Sequence, residues 1–93
     1  MASTKFISVD IDSGQQKTIN FENTILNAGV AVQGYYVDYG GRDHHVLSLD
    51  VSAAIASQSG SQLTVKATCE MRDGSNNVAR GSVTVLAIAY CDG

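Results

Sequence analysis

Apolar and polar residues alternate with a period of two over most of the chain, the pattern of half-buried β-strands. Ile7, Val9 and Ile11 alternate with Ser8 and Asp10, and Asp12-Ser13-Gly14-Gln15 then supplies turn formers. Residues 18–21 read as a second strand. Residues 23–29 read as a connection ending in the breaker Asn27-Ala28-Gly29. Four longer strands are predicted over 30–39, 44–55, 62–71 and 81–90, with turn clusters at 40–43, 57–61 and 73–77. No segment keeps a 3.6-residue period. Residues 51–56, the best helical candidate, are better explained as a strand end and turn. The fold class expected is all-β: a small antiparallel β-sandwich of about six strands, one domain over residues 1–93.

The four longer strands admit one register as an antiparallel meander, because residues opposite one another must share a face. It sets Val32 against Val51, Tyr36 against Leu47, Val51 against Ala67, Leu49 against Cys69, and Ala67 against Val85. The inner face then includes Val30, Val32, Tyr36, Leu47, Leu49, Val51, Ile55, Leu63, Val65, Cys69, Val83, Val85 and Ala89. The outer face is mostly polar, with Gln33, Ser48, Asp50, Lys66, Glu70 and Thr84 among its residues. The two short strands, with Ile11, Ile19 and Phe21, are expected to close the core from the other side.

Composition narrows the function classes. The chain has 6 basic and 9 acidic residues, a net charge of -3. This gives no electrostatic footprint for nucleic acid and no basic face for an anionic membrane. The hydrophobic content of 44% suffices for a packed core, so disorder is excluded. The N-terminal residues hold no apolar run of seven or more, so no signal peptide is expected. The longest apolar run, 85–91, is too short to span a bilayer as a helix. These features point to a soluble protein without export.

The meander separates Cys69 and Cys91 by eight residues along the sheet, roughly 25 Å at about 3.3 Å per residue. A disulfide needs Cα atoms within about 7 Å. An intrachain bridge is therefore not expected. Cys69 reads as a small buried hydrophobe, and Cys91 as free or bridging to another copy.

Three groups of residues invite chemistry. The register flanks His45 with Asp38 and Asp73, a row that reads as a hydrogen-bonded histidine pinning two turns, without a metal. A metal site wants three or four good ligands, and only one of these is an imidazole. Asp10-Ile11-Asp12-Ser13-Gly14 opens like a Ca²⁺ loop, but Phe21 stands where the bidentate Glu belongs, so turn chemistry explains it. Tyr35, Val37 and Tyr39 are expected to point outward beside His44 and Val46, and exposed tyrosines stack on sugars or enter protein interfaces. The candidate ligand-binding residues are thus Tyr35, Tyr39 and His44. No catalytic geometry emerges and no cofactor is expected, so the protein reads as a non-enzyme.

The final strand is apolar on both sides. Val83, Val85, Ala87 and Ala89 point one way, while Leu86, Ile88 and Tyr90 point the other. Such a strand must be covered on both faces. The short strands cover only one, so Leu86, Ile88 and Tyr90 are the candidate interface of a homo-oligomer. A domain this small is also marginal alone.

Ile19-Asn20-Phe21, then an apolar strand, Tyr36-Val37-Asp38, and alternating strands ending in Val83-Thr84-Val85-Leu86-Ala87-Ile88-Ala89 resemble the layout of H-type lectins. The likeness covers residues 19–90 as a pattern. It implies a six-stranded antiparallel sandwich, trimeric or hexameric assembly and binding of N-acetylgalactosamine-type sugars. The family's last strand carries a tryptophan, whereas this chain has none, and no sugar-contacting position is carried over. The expected function is a non-enzymatic binding module, a carbohydrate-binding lectin acting as a homo-oligomer. The alternative is a self-assembling structural subunit of a phage, virion or other particle.

Overall fold

The computed structural model describes residues 2–40 and 45–93. Among them run seven strands: β1 (Ala2–Asp12), β2 (Gln16–Asn20), β3 (Thr24–Tyr36), β4 (Val46–Ser59), β5 (Gln62–Asp73), β6 (Val78–Arg80) and β7 (Ser82–Asp92). They form two antiparallel sheets. One is three-stranded, in the order β1-β7-β3. In the other β5 is central, with β4 along one side and β2 and β6 in succession along the other. The all-β sandwich read from the alternation is the observed architecture.

The core lies where the inward faces of the two central strands meet. Val83, Val85, Ala87, Ala89 and Cys91 of β7 face Leu63, Val65, Ala67 and Cys69 of β5, all fully or nearly fully buried. Ile11, Ile19, Phe21 and Ile25 close its margins. Only small and β-branched residues line β7's inward face, which suits two sheets packed about 10 Å apart. Both cysteines are free and buried. Burial pushes the Cys69 thiol up in pKa, against the opposing hydrogen bond with the Gly81 backbone. Cys91, left open to a bridge with another copy, has no exposed surface.

The meander is not what forms. Of its three hairpins, only β4–β5 is present. β3 pairs with β7, and β5 pairs with the three-residue β6 before the chain crosses to β7. Val32 lies opposite Val85, and Ala67 opposite Ala53. Within the β4–β5 hairpin, Val51 faces Cys69 and Leu49 faces Met71, two residues from the expected register. The hairpin closes at Gly60-Ser61, with Gly60 at a φ of 58°, a tighter turn than the 57–61 cluster suggests. Residues 24–29, expected as connection, belong to β3. The first strands do not cover the last one either: β1 lies beside β7 in the same sheet, and β2 beside β5. A single meander would leave its inner face under two short strands; splitting three strands from four buries β5 against β7.

Two of the segments that carry the chain between sheets, 13–15 and 21–23, are pinned by hydrogen bonds. At the first, Ser13 N donates to Gly81 O (2.8 Å), Gly14 N to Ala67 O (3.0 Å), and Cys69 N to the Ser13 hydroxyl (2.9 Å). Gly14 takes a φ of 81° there, in the left-handed region that glycine enters at little cost. At the second, Phe21 N donates to Ser61 O and Ile25 N to Gly60 O, both at 2.9 Å. Lys5 caps this end, its ammonium donating to Phe21 O (3.1 Å) and Asn23 Oδ1 (2.5 Å).

The slab is long and thin, 53 × 18 × 16 Å, with a radius of gyration of 15.8 Å. A compact chain of this length has about 12 Å. Its accessible surface is 5686 Å², against about 5,200 Å² for a typical monomer of this mass. The excess is visible in exposed apolar side chains, several of which gather on two surfaces.

Candidate binding site

The outward face of the three-stranded sheet is built in rows across β1, β7 and β3. Thr4, Tyr90 and Asn27 form one row; Phe6, Ile88 and Gly29 the next; Ser8, Leu86 and Ala31 the third. Register and alternation place all nine residues on one face, eight of them with side chains. Tyr90 is 47% exposed and Phe6 64%, while Leu86 and Ile88 are half-buried. At its far end the face is tied by polar bonds: Ser8 donates to Gln33 Oε1 (2.7 Å) and Thr84 to Asp10 Oδ1 (2.6 Å).

A hollow of about 330 Å³ opens on this face, lined by Thr4, Asn27, Ala28, Gly29, Ile88 and Tyr90. Glycine is what leaves the space. A Cβ on Gly29 would meet nothing within 4 Å, so on β3 no side chain rises beside Ile88. The volume falls at the lower end of small-ligand sites. No lining side chain is charged. Asn27 Oδ1 accepts from Ala28 N (3.0 Å). The arrangement is an aromatic ring and an aliphatic wall beside a hydroxyl and an amide.

Neither Tyr35 nor Tyr39 lines this hollow. Tyr35 lies opposite Val83 and takes the inner side of its sheet, at an open flank, 52% exposed. The cause is a bulge at Gln33, where the ladder passes from Val32↔Val85 to Gly34↔Thr84. One extra residue reverses the parity of everything after it, so Tyr36, expected inside, points out and is 67% exposed. Tyr39 is half-buried and donates its hydroxyl to Met71 O and Asn77 O, both at 3.0 Å. That burial, with Asp73 nearby, raises its pKa. His44 lies outside the described residues.

The Asp38–His45–Asp73 row does not assemble. Asp38 accepts from the Tyr36 hydroxyl and from Gly40 N (3.0 Å). Asp73 directs its carboxylate at Ser75 and Asn77. His45 meets this loop through its backbone, its carbonyl accepting from Gly74 N (3.2 Å). The described residues contain no group of three or more His, Cys, Asp or Glu able to hold a metal ion, and no helix long and apolar enough to cross a membrane.

No family model, curated protein or solved structure matches the chain. Sequence reasoning placed Tyr90 and Ile88 on the outward face but assigned that face to oligomer contact. It missed Thr4, Asn27 and Gly29, because β1 and β3 were not recognised as the neighbours of β7. The available signal was Gly29, a glycine inside an apolar strand, which marks a missing side chain.

Proposed function

We propose that the protein is a non-enzymatic binding module that takes a neutral carbohydrate on the outward face of its three-stranded sheet. The observation that carries this reading is the glycine-floored hollow edged by Tyr90, with Thr4 and Asn27 beside it. A sugar ring has an apolar face that stacks on an aromatic ring and hydroxyls that want neutral donors and acceptors. The uncharged lining favours neutral glycans over sialylated or sulfated ones. The resemblance of residues 19–90 to H-type lectins supports the same ligand class, and assembly as a homo-oligomer would make a shallow site effective through multivalency.

A glycan array with titration calorimetry tests the reading. Neutral glycans should bind at millimolar affinity or better. Tyr90→Ala should weaken binding about tenfold, in line with about 1.4 kcal/mol for a lost stacking contact. Gly29→Val should abolish binding while leaving the melting temperature within a few degrees. Silence across the array would remove the proposal.

A second reading, a self-assembling structural subunit, is favoured by the 53 Å slab and its exposed apolar residues. Large homogeneous assemblies on sizing, together with silence on the array, would select it.

A further inference from the structure

The two sheets do not close evenly along their sides. β3 is one edge of its sheet and β4 one edge of the other, and they lie over each other on the same flank. Side chains that alternation directs between the sheets remain open to water there: Val32 at 40%, Tyr35 at 52%, Leu49 at 44% and Ile55 at 36%. Residues placed to be core are thus uncovered along this flank.

Edge strands in isolated proteins are guarded by charge, proline, bulges or shortness. The opposite flank is guarded in this way. β1 carries Lys5, Asp10 and Asp12; β2 has five residues with Lys17; β6 has three with Arg80. The β3–β4 flank has 13- and 14-residue strands whose one charged side chain is Asp50. Bulges interrupt β4 between Val46 and Ser48 and between Ile55 and Ser57, leaving 48–55 as an unbroken run. This segment is unprotected at its edge and apolar on its inner side.

We propose that this flank is where two copies of the chain join, β4 pairing antiparallel with β4 of the second copy. A 14-residue strand is about 46 Å long, and the slab is 16 Å deep. The paired run 48–55, about 26 Å long, forms the centre of the contact, and flanks meeting along their whole length cover at most about 700 Å² on each copy, about 1,500 Å² in all, the size of a standard stable interface. The segment is self-complementary. A two-fold axis at Ser52 sets Leu49 against Ile55 of the partner subunit and Val51 against Ala53 of the partner subunit. It also sets each Asp50 opposite Ala54 of the partner subunit, so the lone charges do not meet. The contact is isologous, and the guarded opposite flank stops further addition, so assembly closes at two. This interface is separate from the hollow, and the two proposals fail independently.

Light scattering and hydrogen exchange test it. Wild type at micromolar concentration should weigh twice 9.8 kDa, with amides in 48–55 protected. Leu49→Lys and Ser52→Lys, each placing a cation on the flank, should weaken dimerisation at least about 100-fold and leave the β-sheet circular dichroism unchanged. Phe6→Lys, on the outward face of the other sheet, should leave the dimer intact. A mass of 9.8 kDa that persists on concentration overturns the proposal. So does a multimer that survives both flank substitutions but falls apart with Phe6→Lys. Should a flank variant fail to fold, the wild-type exchange pattern decides: fast exchange of the β4 edge amides in a multimer is equally fatal.

Discussion

Asp73 holds Asn77 by both its backbone and its side chain: Oδ1 accepts from Asn77 N and Oδ2 from Asn77 Nδ2, each at 2.9 Å. Oδ1 also accepts from Ser75 N at 2.9 Å. Asp73 is only 4% exposed, so one carboxylate organises the turn that returns β5 to β6. Hydrogen bonds to a charged acceptor are worth about 1.5–3 kcal/mol each before water compensates the freed donors. Asp73→Ala should therefore destabilise the fold by about 2 kcal/mol. Asp73→Asn, which keeps an acceptor for the backbone donors, should cost about half as much. Urea unfolding of the two variants checks the order.

Gly81 sits where the chain leaves β6 and enters β7 in the other sheet. Its N–H donates to Cys69 O (3.0 Å), and its carbonyl accepts from Ser13 N (2.8 Å). A Cβ there would lie 1.8 Å from the Tyr36 carbonyl oxygen and 2.8 Å from its carbon. Backbone cannot rotate away as a side chain does. Gly81→Ala should cost about 3 kcal/mol or more, whereas Gly34→Ala, with nothing within 4 Å of its Cβ, should leave stability unchanged or slightly raised. Thermal melts of the two variants should differ by more than 10 °C, a gap consistent with about 4–8 °C per kcal/mol for a domain of this size.

How much of this was legible in the sequence follows from what alternation encodes. Period two fixes which side of its own strand a residue takes, and the faces of β5 and β7 were read correctly from it. Val83, Val85, Ala87 and Ala89 are buried, while Leu86, Ile88 and Tyr90 turn away. Alternation does not say which strand lies alongside. A Val on β7 is as apolar opposite Val32 as opposite Ala67, so the meander satisfied every rule used and still failed. Bulges are a second blind spot. The extra residue at Gln33 has no sequence mark beyond the neighbouring Gly34, yet it exchanged the faces of Tyr35 and Tyr36 and with them part of the expected site. The hollow was harder still, since it depends on Thr4 and Asn27 lying in one row with Tyr90, and those residues are more than sixty positions apart from it along the chain.

Val51 and Val85 were both expected in the core, and they separate in the structure. Val85 has no exposed surface, but Val51, on the edge strand β4, is only half-buried. An unpaired charge in a dry core costs several kcal/mol, enough to unfold a small domain. Val85→Asp should abolish folding. Val51→Asp should remain folded, as a monomer with reduced stability, because a carboxylate on the flank disfavours the second copy and reaches water once that copy is gone. Far-UV circular dichroism at 25 °C distinguishes them, and equal loss of structure in both would mean that the flank is closed to water within the single chain.

Tyr36 and Asp38 form a surface pair whose titration has a definite sign. The phenol donates to Asp38 Oδ2, and Gly40 N donates to Oδ1. Both bonds favour the ionised carboxylate and lower its pKa, the Tyr36 bond contributing most. The same bond and the carboxylate's charge raise the Tyr36 pKa. A carboxyl lowered on folding contributes stability that is present above its unfolded pKa, about 4, and is lost as pH falls through its folded value. A phenol raised on folding contributes stability present below about pH 10 and lost as pH rises through its folded value. The pair is exposed, so the effect on global stability is small and the sensitive readout is the titration itself. Tyr36→Phe should raise the Asp38 pKa toward the ordinary carboxyl value, by carboxyl-carbon NMR. An Asp38 titration identical in wild type and Tyr36→Phe would show that the backbone bond from Gly40, rather than the phenol, sets the carboxylate.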